Sequence, residues 1–251
     1  MLSKADLVAL PATALFLGST QLFKLTPAHC RWCDGTDDVG TPGSTGSGRG
    51  SLNGVDAFFH DALTGAVLSR TTADATSSIF AYGVAPVVAI GGAYFATGPH
   101  ASQGAGLRAA VITIESMTVA ESITQVLKLG FVRKRPYVRY GNGTAPAGSA
   151  YDVNSDESRL GFVSGHTSFV ASLGFGAAMC AQLQDSEAAP ALWTAAAGLT
   201  VLTGTLRMVA EKHYFTDVLG GALVGAGAGV LVPYLHKRGV QITGNGFAYN
   251  F

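Results

Sequence analysis

Four long stretches of the chain carry no charge. No Asp, Glu, Lys or Arg occurs from Ala75 to Leu107, from Leu160 to Gln184, from Ala188 to Leu206 or from Val218 to His236. Gaps of roughly 18 or more residues suit helices that cross a bilayer. With the apolar run from Leu7 to Phe23, the pattern predicts about six transmembrane helices, near residues 5–24, 76–97, 105–127, 163–184, 189–206 and 214–236. The fold class is therefore all-α, a multi-pass membrane helical bundle. The first run follows Met-Leu-Ser-Lys and has no small-residue cleavage site after it, so it reads as a retained helix rather than a signal peptide. The third carries Arg108, Glu115 and Glu121, which must face protein or an aqueous cavity if that helix spans.

The polar segment from 25 to 75 includes a Gly/Ser/Thr-rich stretch, Gly40 to Ser51, that cannot bury enough apolar area to order itself and reads as a loop. Within it, Val55 to Leu68 has helical apolar spacing, fitting a short amphipathic helix at the membrane surface or over a site. Gly221, Gly225 and Gly229 recur every fourth residue of the last helix and leave a smooth strip for a neighbouring helix. The chain divides into an N-terminal helix and loop (1–75), a helical core (76–240) and a tail (241–251).

His236-Lys237-Arg238 after the last helix argues for a cytoplasmic C-terminus. An even helix count then puts the loop at 128–162 outside, where Lys128, Arg133, Lys134, Arg135 and Arg139 run against the positive-inside trend. Those cations have work other than setting topology. Composition agrees with a membrane setting: only 13% of residues are Asp, Glu, Lys or Arg, against about 25% in ordinary soluble domains. With 16 basic and 16 acidic residues the whole chain has no bias towards nucleic acid. Cys30 and Cys33 lack the second pair a zinc site needs and are either a local disulfide or free thiols, while Cys180 reads as a small packed hydrophobe. Asp152 to Asp156 begins like a calcium loop, but Glu157 stands where that loop needs Gly. Asn142-Gly143-Thr144 matches a glycosylation sequon.

Three clusters sit at helix ends that the topology places on one face. Lys128 and Arg135-Pro136 supply two cations, and a guanidinium pairs with phosphate oxygens through two hydrogen bonds. Ser164-Gly165-His166-Thr167 opens a helix, where unsatisfied N–H groups attract an anion and Gly165 lets it approach. Arg207, His213 and Asp217 form the third, with His213 and Asp217 four residues apart on one helical face, so that the carboxylate can orient the imidazole.

In order and spacing, these residues resemble the three-part signature of the type 2 phosphatidic acid phosphatase superfamily, related to the vanadium haloperoxidases. The resemblance implies a phosphatase/haloperoxidase-like core. It also implies metal-independent hydrolysis of a lipid phosphate or diphosphate, with no cofactor, at the extracytoplasmic face of the cell (inner) membrane. His213 would attack phosphorus, His166 serve the leaving oxygen and then the water, and Asp217 stabilise the imidazolium. Lys128, Arg135, Arg207 and the Ser164 and Gly165 amides would hold the phosphate. Val163 and Leu206 depart from the family's usual Pro and Ser. Alternatives on the same residues are a lipid phosphotransferase, a vanadate-dependent haloperoxidase, whose relatives are soluble, or a membrane binding protein with impaired turnover.

Overall fold

A computed structural model describes residues 53–64, 68–140, 145–237 and the strands at 240–243 and 246–249. The first apolar run, the Gly/Ser/Thr-rich stretch, Cys30, Cys33 and the sequon lie outside those residues. Five helices dominate: α2 (Arg70–Phe95), α3 (Ala105–Phe131), α5 (Gly165–Leu183), α6 (Ala189–Val209) and α7 (Phe215–Lys237). They answer five of the six predicted segments. Shorter helices are α1 (Gly54–Leu63), within the stretch whose apolar spacing predicts one, and α4 (Pro136–Tyr140). A two-stranded antiparallel hairpin, β1 (Val240–Thr243) and β2 (Gly246–Tyr249), follows α7.

Among the described residues three helices, α2, α6 and α7, are long and apolar enough to cross a membrane. The remaining two predicted spans exist as helices but are more polar along their buried faces. In α3 these faces carry Thr113, Glu115, Ser116, Thr118 and Thr124, and in α5 Thr167, Ser168 and Ser172. Their hydroxyls are satisfied inside the bundle rather than by lipid, and Glu115 stands 3.2 Å from His236 Nε2. Thr113 and Ser116 donate to the carbonyls of Ala109 and Ile112, and Thr124 bonds Ser168 across the α3–α5 contact.

Helix α5 is central and packs against α2, α3, α6 and α7. Its core is built of small residues, with Ala171, Ala177, Ala178 and Ala181 fully enclosed, while Val87, Phe95, Val201 and Leu223 are each more than 60% exposed. Large apolar side chains outside and small ones inside is the arrangement of helices that meet in lipid, where close backbone approach replaces the hydrophobic driving force. Cys180 is buried in this core, as a packed hydrophobe should be.

The glycine strip does what its spacing predicts. A methyl built on Gly221, Gly225 or Gly229 would come within 2.4, 2.3 and 3.0 Å of the backbone oxygens of Ser164, Ser168 and Ser172. Each step of the strip on α7 thus lies against one turn of α5. Gly225→Ala is expected to lower stability by about 1–3 kcal/mol through overpacking, read as a lower apparent melting temperature in detergent. A neutral result would contradict the close approach.

Candidate active site

The C-terminal end of α3 and the N-terminal ends of α5 and α7 meet at one end of the bundle. Ser164 caps α5, its hydroxyl accepting from Thr167 N at 3.4 Å and meeting the Thr167 hydroxyl at 2.8 Å. The Lys128 ammonium is so close that a methyl on Gly165 would stand 3.0 Å from Nζ. The Ser164 amide donates to the Asp217 carbonyl at 2.9 Å, tying α5 to α7. That bond corrects the expectation of a free Ser164 amide. The N–H groups of Gly165 and His166, in the first helical turn, have no intrahelical partner.

Helix α6 ends in a tight turn. Lys212 N and His213 N both donate back to the Arg207 carbonyl, at 3.1 and 3.4 Å, which sets His213 beside Arg207. His213 precedes the first residue of α7 rather than lying on it, and this changes its partner. Nδ1 is 2.7 Å from the Gly161 carbonyl but 3.8 Å from Asp217 Oδ2, too long for the hydrogen bond that the four-residue spacing suggests. A carbonyl only accepts, so Nδ1 carries the proton and Nε2 of the neutral ring keeps its lone pair. Gly161 is itself fixed by its amide bond to the Arg133 carbonyl at 2.8 Å, an approach that leaves no room for a side chain.

Burial holds the His213 imidazole well below its ordinary value of 6.5, and the cations Arg135, Arg207 and Lys128 add to this against the Gly161 bond. The same three cations also act on His166, so all three act on both imidazoles. As pH falls, the unfolded chain takes up the His213 proton first. This group's contribution to stability is therefore complete above pH 6.5 and is lost progressively below it, by at most about 1.4 kcal/mol per pH unit. His213→Gln is expected to flatten the plot of apparent melting temperature against pH on the acid side. An unchanged acid slope would contradict a buried neutral ring.

His166 faces α2: Nε2 is 3.2 Å from the Ser78 hydroxyl and Nδ1 3.5 Å from the Tyr82 hydroxyl, with the rings edge to face. Tyr82 lies in a π-turn, Phe80–Val84, within α2 and is 58% exposed on the helix's outer side. Arg135 is buried and gives Nε and Nη2 to Glu157, at 2.7 Å to its carbonyl and 3.0 Å to its exposed carboxylate. Arg207 gives Nη1 to Asp74 and to Ser77 Oγ, while its buried Nε has no hydrogen-bond partner.

Several residues at this end were not singled out for the site from sequence. Asp217 accepts from Arg133 at 2.5 Å and from Tyr214 N at 2.9 Å. The other end of the Arg133 fork meets Asp56 of α1 at 2.7 Å, and Asp56 also accepts from Thr216 N and Oγ1 at 2.8 and 2.7 Å. Asp56 and Asp217 are fully buried. Asp74 pairs with Arg207 and stands 3.5 Å from Lys212. Burial lowers the Lys212 ammonium to about 8, and it lies over the Tyr151 ring at 4.2 Å. The sequence signal for Arg133 was its place among cations that defy the positive-inside trend. For Asp56 it was an acid in a stretch of helical apolar spacing that also carries His60 and Asp61.

The two departures from the family pattern are absorbed by packing. Val163 is buried, lying where Gly220 lacks a side chain. Leu206 packs on Ala73 and Ala210, away from the polar cluster, and the hydroxyls near Arg207 and His166 come instead from Ser77 and Ser78.

The sequence profile of the PAP2 superfamily matches residues 109–240, just over half of the chain. No curated protein and no solved structure matches it.

Proposed function

Since the chain belongs to the PAP2 superfamily, whose members are phosphatases or related enzymes, we propose that it hydrolyses a lipid phosphate or lipid diphosphate through a phosphohistidine on His213. The observation that carries this reading is the gathering of Lys128, Arg135 and Arg207 around two imidazoles, one of which keeps an unprotonated Nε2.

The phosphate sits among these cations and the first-turn N–H groups of α5, its charge offset before reaction. The unpartnered Nε of Arg207 is the donor with most to gain. Glu157, whose carboxylate is exposed, yields its bond to Arg135 as the anion enters. His213 Nε2 attacks phosphorus in line, and the bond to the leaving oxygen breaks as His166, which the negative charge of the bound phosphate lets carry a second ring proton, gives that proton to the oxygen. Asp217, 3.8 Å from Nδ1, and the Gly161 carbonyl stabilise the imidazolium. His166 then takes a proton from water, which attacks phosphorus, and the P–N bond breaks to return His213. Ser164 acts by holding the start of α5.

A lipid leaving group is supported by Tyr82, which joins His166 to the exposed outer side of an apolar helix. The leaving side of the site thus borders the bilayer. We place this end of the bundle on the extracytoplasmic face, because the basic His236-Lys237-Arg238 follows the opposite end. In this mechanism the basic side chains supply the charge that magnesium provides elsewhere. Phosphate release from short-chain phosphatidic acid or a prenyl diphosphate is therefore expected to persist in EDTA. Loss on chelation, with recovery on adding a divalent cation, would overturn the mechanism.

A further inference from the structure

A cavity of about 520 Å³ lies at the far end of the bundle, between the N-terminus of α3 and the C-termini of α5 and α7. Its inner wall is apolar, with Ile112, Leu183 and Pro233, and its rim carries the exposed cations Arg108 and Lys237 beside His100, together with the exposed carboxylate of Asp185. Two buried polar groups lie at this wall. Gln184 lines the cavity, and its Oε1 is enclosed without a hydrogen-bond donor, its amide nitrogen being spent on the Cys180 carbonyl. His236, which also lines the cavity, has Nε2 3.2 Å from Oε2 of the buried Glu115 carboxylate.

Arg108 and Lys128 lie on the same helix. At about 1.5 Å per residue they are separated by roughly 30 Å, the thickness of a hydrocarbon core. The cavity therefore opens at the membrane surface opposite the catalytic end. An apolar interior, a rim on which two cations outnumber the one carboxylate, and an unmatched acceptor suit a phosphodiester with a hydroxyl on its headgroup, its acyl chains leaving along the exposed Leu107 and Leu231. Basic pockets between helices at a membrane surface hold anionic headgroups in this way.

We propose that this cavity is a second site, distinct from the catalytic one, which binds the headgroup of an anionic, hydroxyl-bearing phospholipid of the phosphatidylglycerol class from the opposite leaflet. Arg108 and Lys237 hold its phosphate, and Gln184 Oε1 accepts from its hydroxyl. A phosphodiester is not a monoester or diphosphate, so occupancy does not depend on hydrolysis, and this inference stands or falls apart from the proposed reaction.

The test is titration of the full-length protein in detergent with dihexanoyl phosphatidylglycerol, dihexanoyl phosphatidylcholine and inorganic phosphate. Binding is read by native mass spectrometry and apparent melting temperature. Phosphatidylglycerol is expected to bind the wild type and to bind an R108Q/K237Q double variant roughly 30-fold more weakly, with the variant's lipid-free melting temperature unchanged. Ala105→Phe, which fills the cavity from its wall, should weaken binding without touching a charge and serves if the double variant does not fold. Arg207→Gln, at the catalytic end, should leave the binding intact. Equal binding of phosphatidylcholine, equal affinity in the double and cavity-filled variants, or full protection by inorganic phosphate alone would each overturn the proposal.

Discussion

Replacing His213 by Ala is expected to abolish phosphate release, with a fall on the order of 10⁴-fold or more in kcat and little change in substrate binding. The expectation rests on one atom. Nδ1 is committed to the Gly161 carbonyl, so the lone pair that the His213 ring offers among Lys128, Arg135 and Arg207 is that of Nε2. Removing it leaves in place the cations proposed to hold the phosphate, so the loss should appear in kcat rather than KM. Steady-state assay of the purified variant against phosphatidic acid gives the check. Retention of even a tenth of the wild-type rate would mean that another group attacks phosphorus.

The second large effect concerns stability. Arg133→Met is expected to destabilise the fold by about 3–5 kcal/mol, because it strands two buried carboxylates beside each other. Asp56 would keep its bonds from Thr216 and Asn53, and Asp217 its bond from Tyr214 N, but both would lose their counter-charge. For a chain of this size that is a drop on the order of 10 °C in apparent melting temperature. Arg133→Lys, which keeps the charge but cannot fork to both acids, should fall between. Asp56→Asn should cost less than Arg133→Met, since it leaves the Asp217 arm paired. A Met variant as stable as the wild type would show that the three groups are not a coupled network.

What could be read from the sequence follows the range of the contacts involved. The helix-end clusters and the glycine strip were legible because each depends on spacing within a few residues, and Gly221, Gly225 and Gly229 meet α5 as that spacing requires. The charges of α3 were also legible in kind. Glu115 and Glu121 face protein, the first against His236 and the second beside Lys128 and Gly165.

The orientation of Asp217 was not legible. A rule of local spacing pairs it with His213, but a guanidinium 84 residues away takes the carboxylate, because α7 begins only after His213. Asp56 and Asp74 reach the site across 77 and 133 residues, the first from the short amphipathic stretch and the second from the polar residues just before the second predicted span. Of the five predicted spans within the described residues, two fall short of a span by composition for a related reason. The Ser, Thr and Glu residues that lower the hydropathy of α3 and α5 are the ones enclosed within the bundle.

The central claim is a covalent bond between phosphorus and His213. Rapid quench of the enzyme with a ³²P-labelled substrate, followed by peptide mapping, is expected to place acid-labile label on residue 213. More label should accumulate in His166→Asn supplied with a substrate whose leaving group needs no proton. Full turnover of such a substrate by that variant with no protein-bound phosphate, or label on a peptide lacking residue 213, would contradict it.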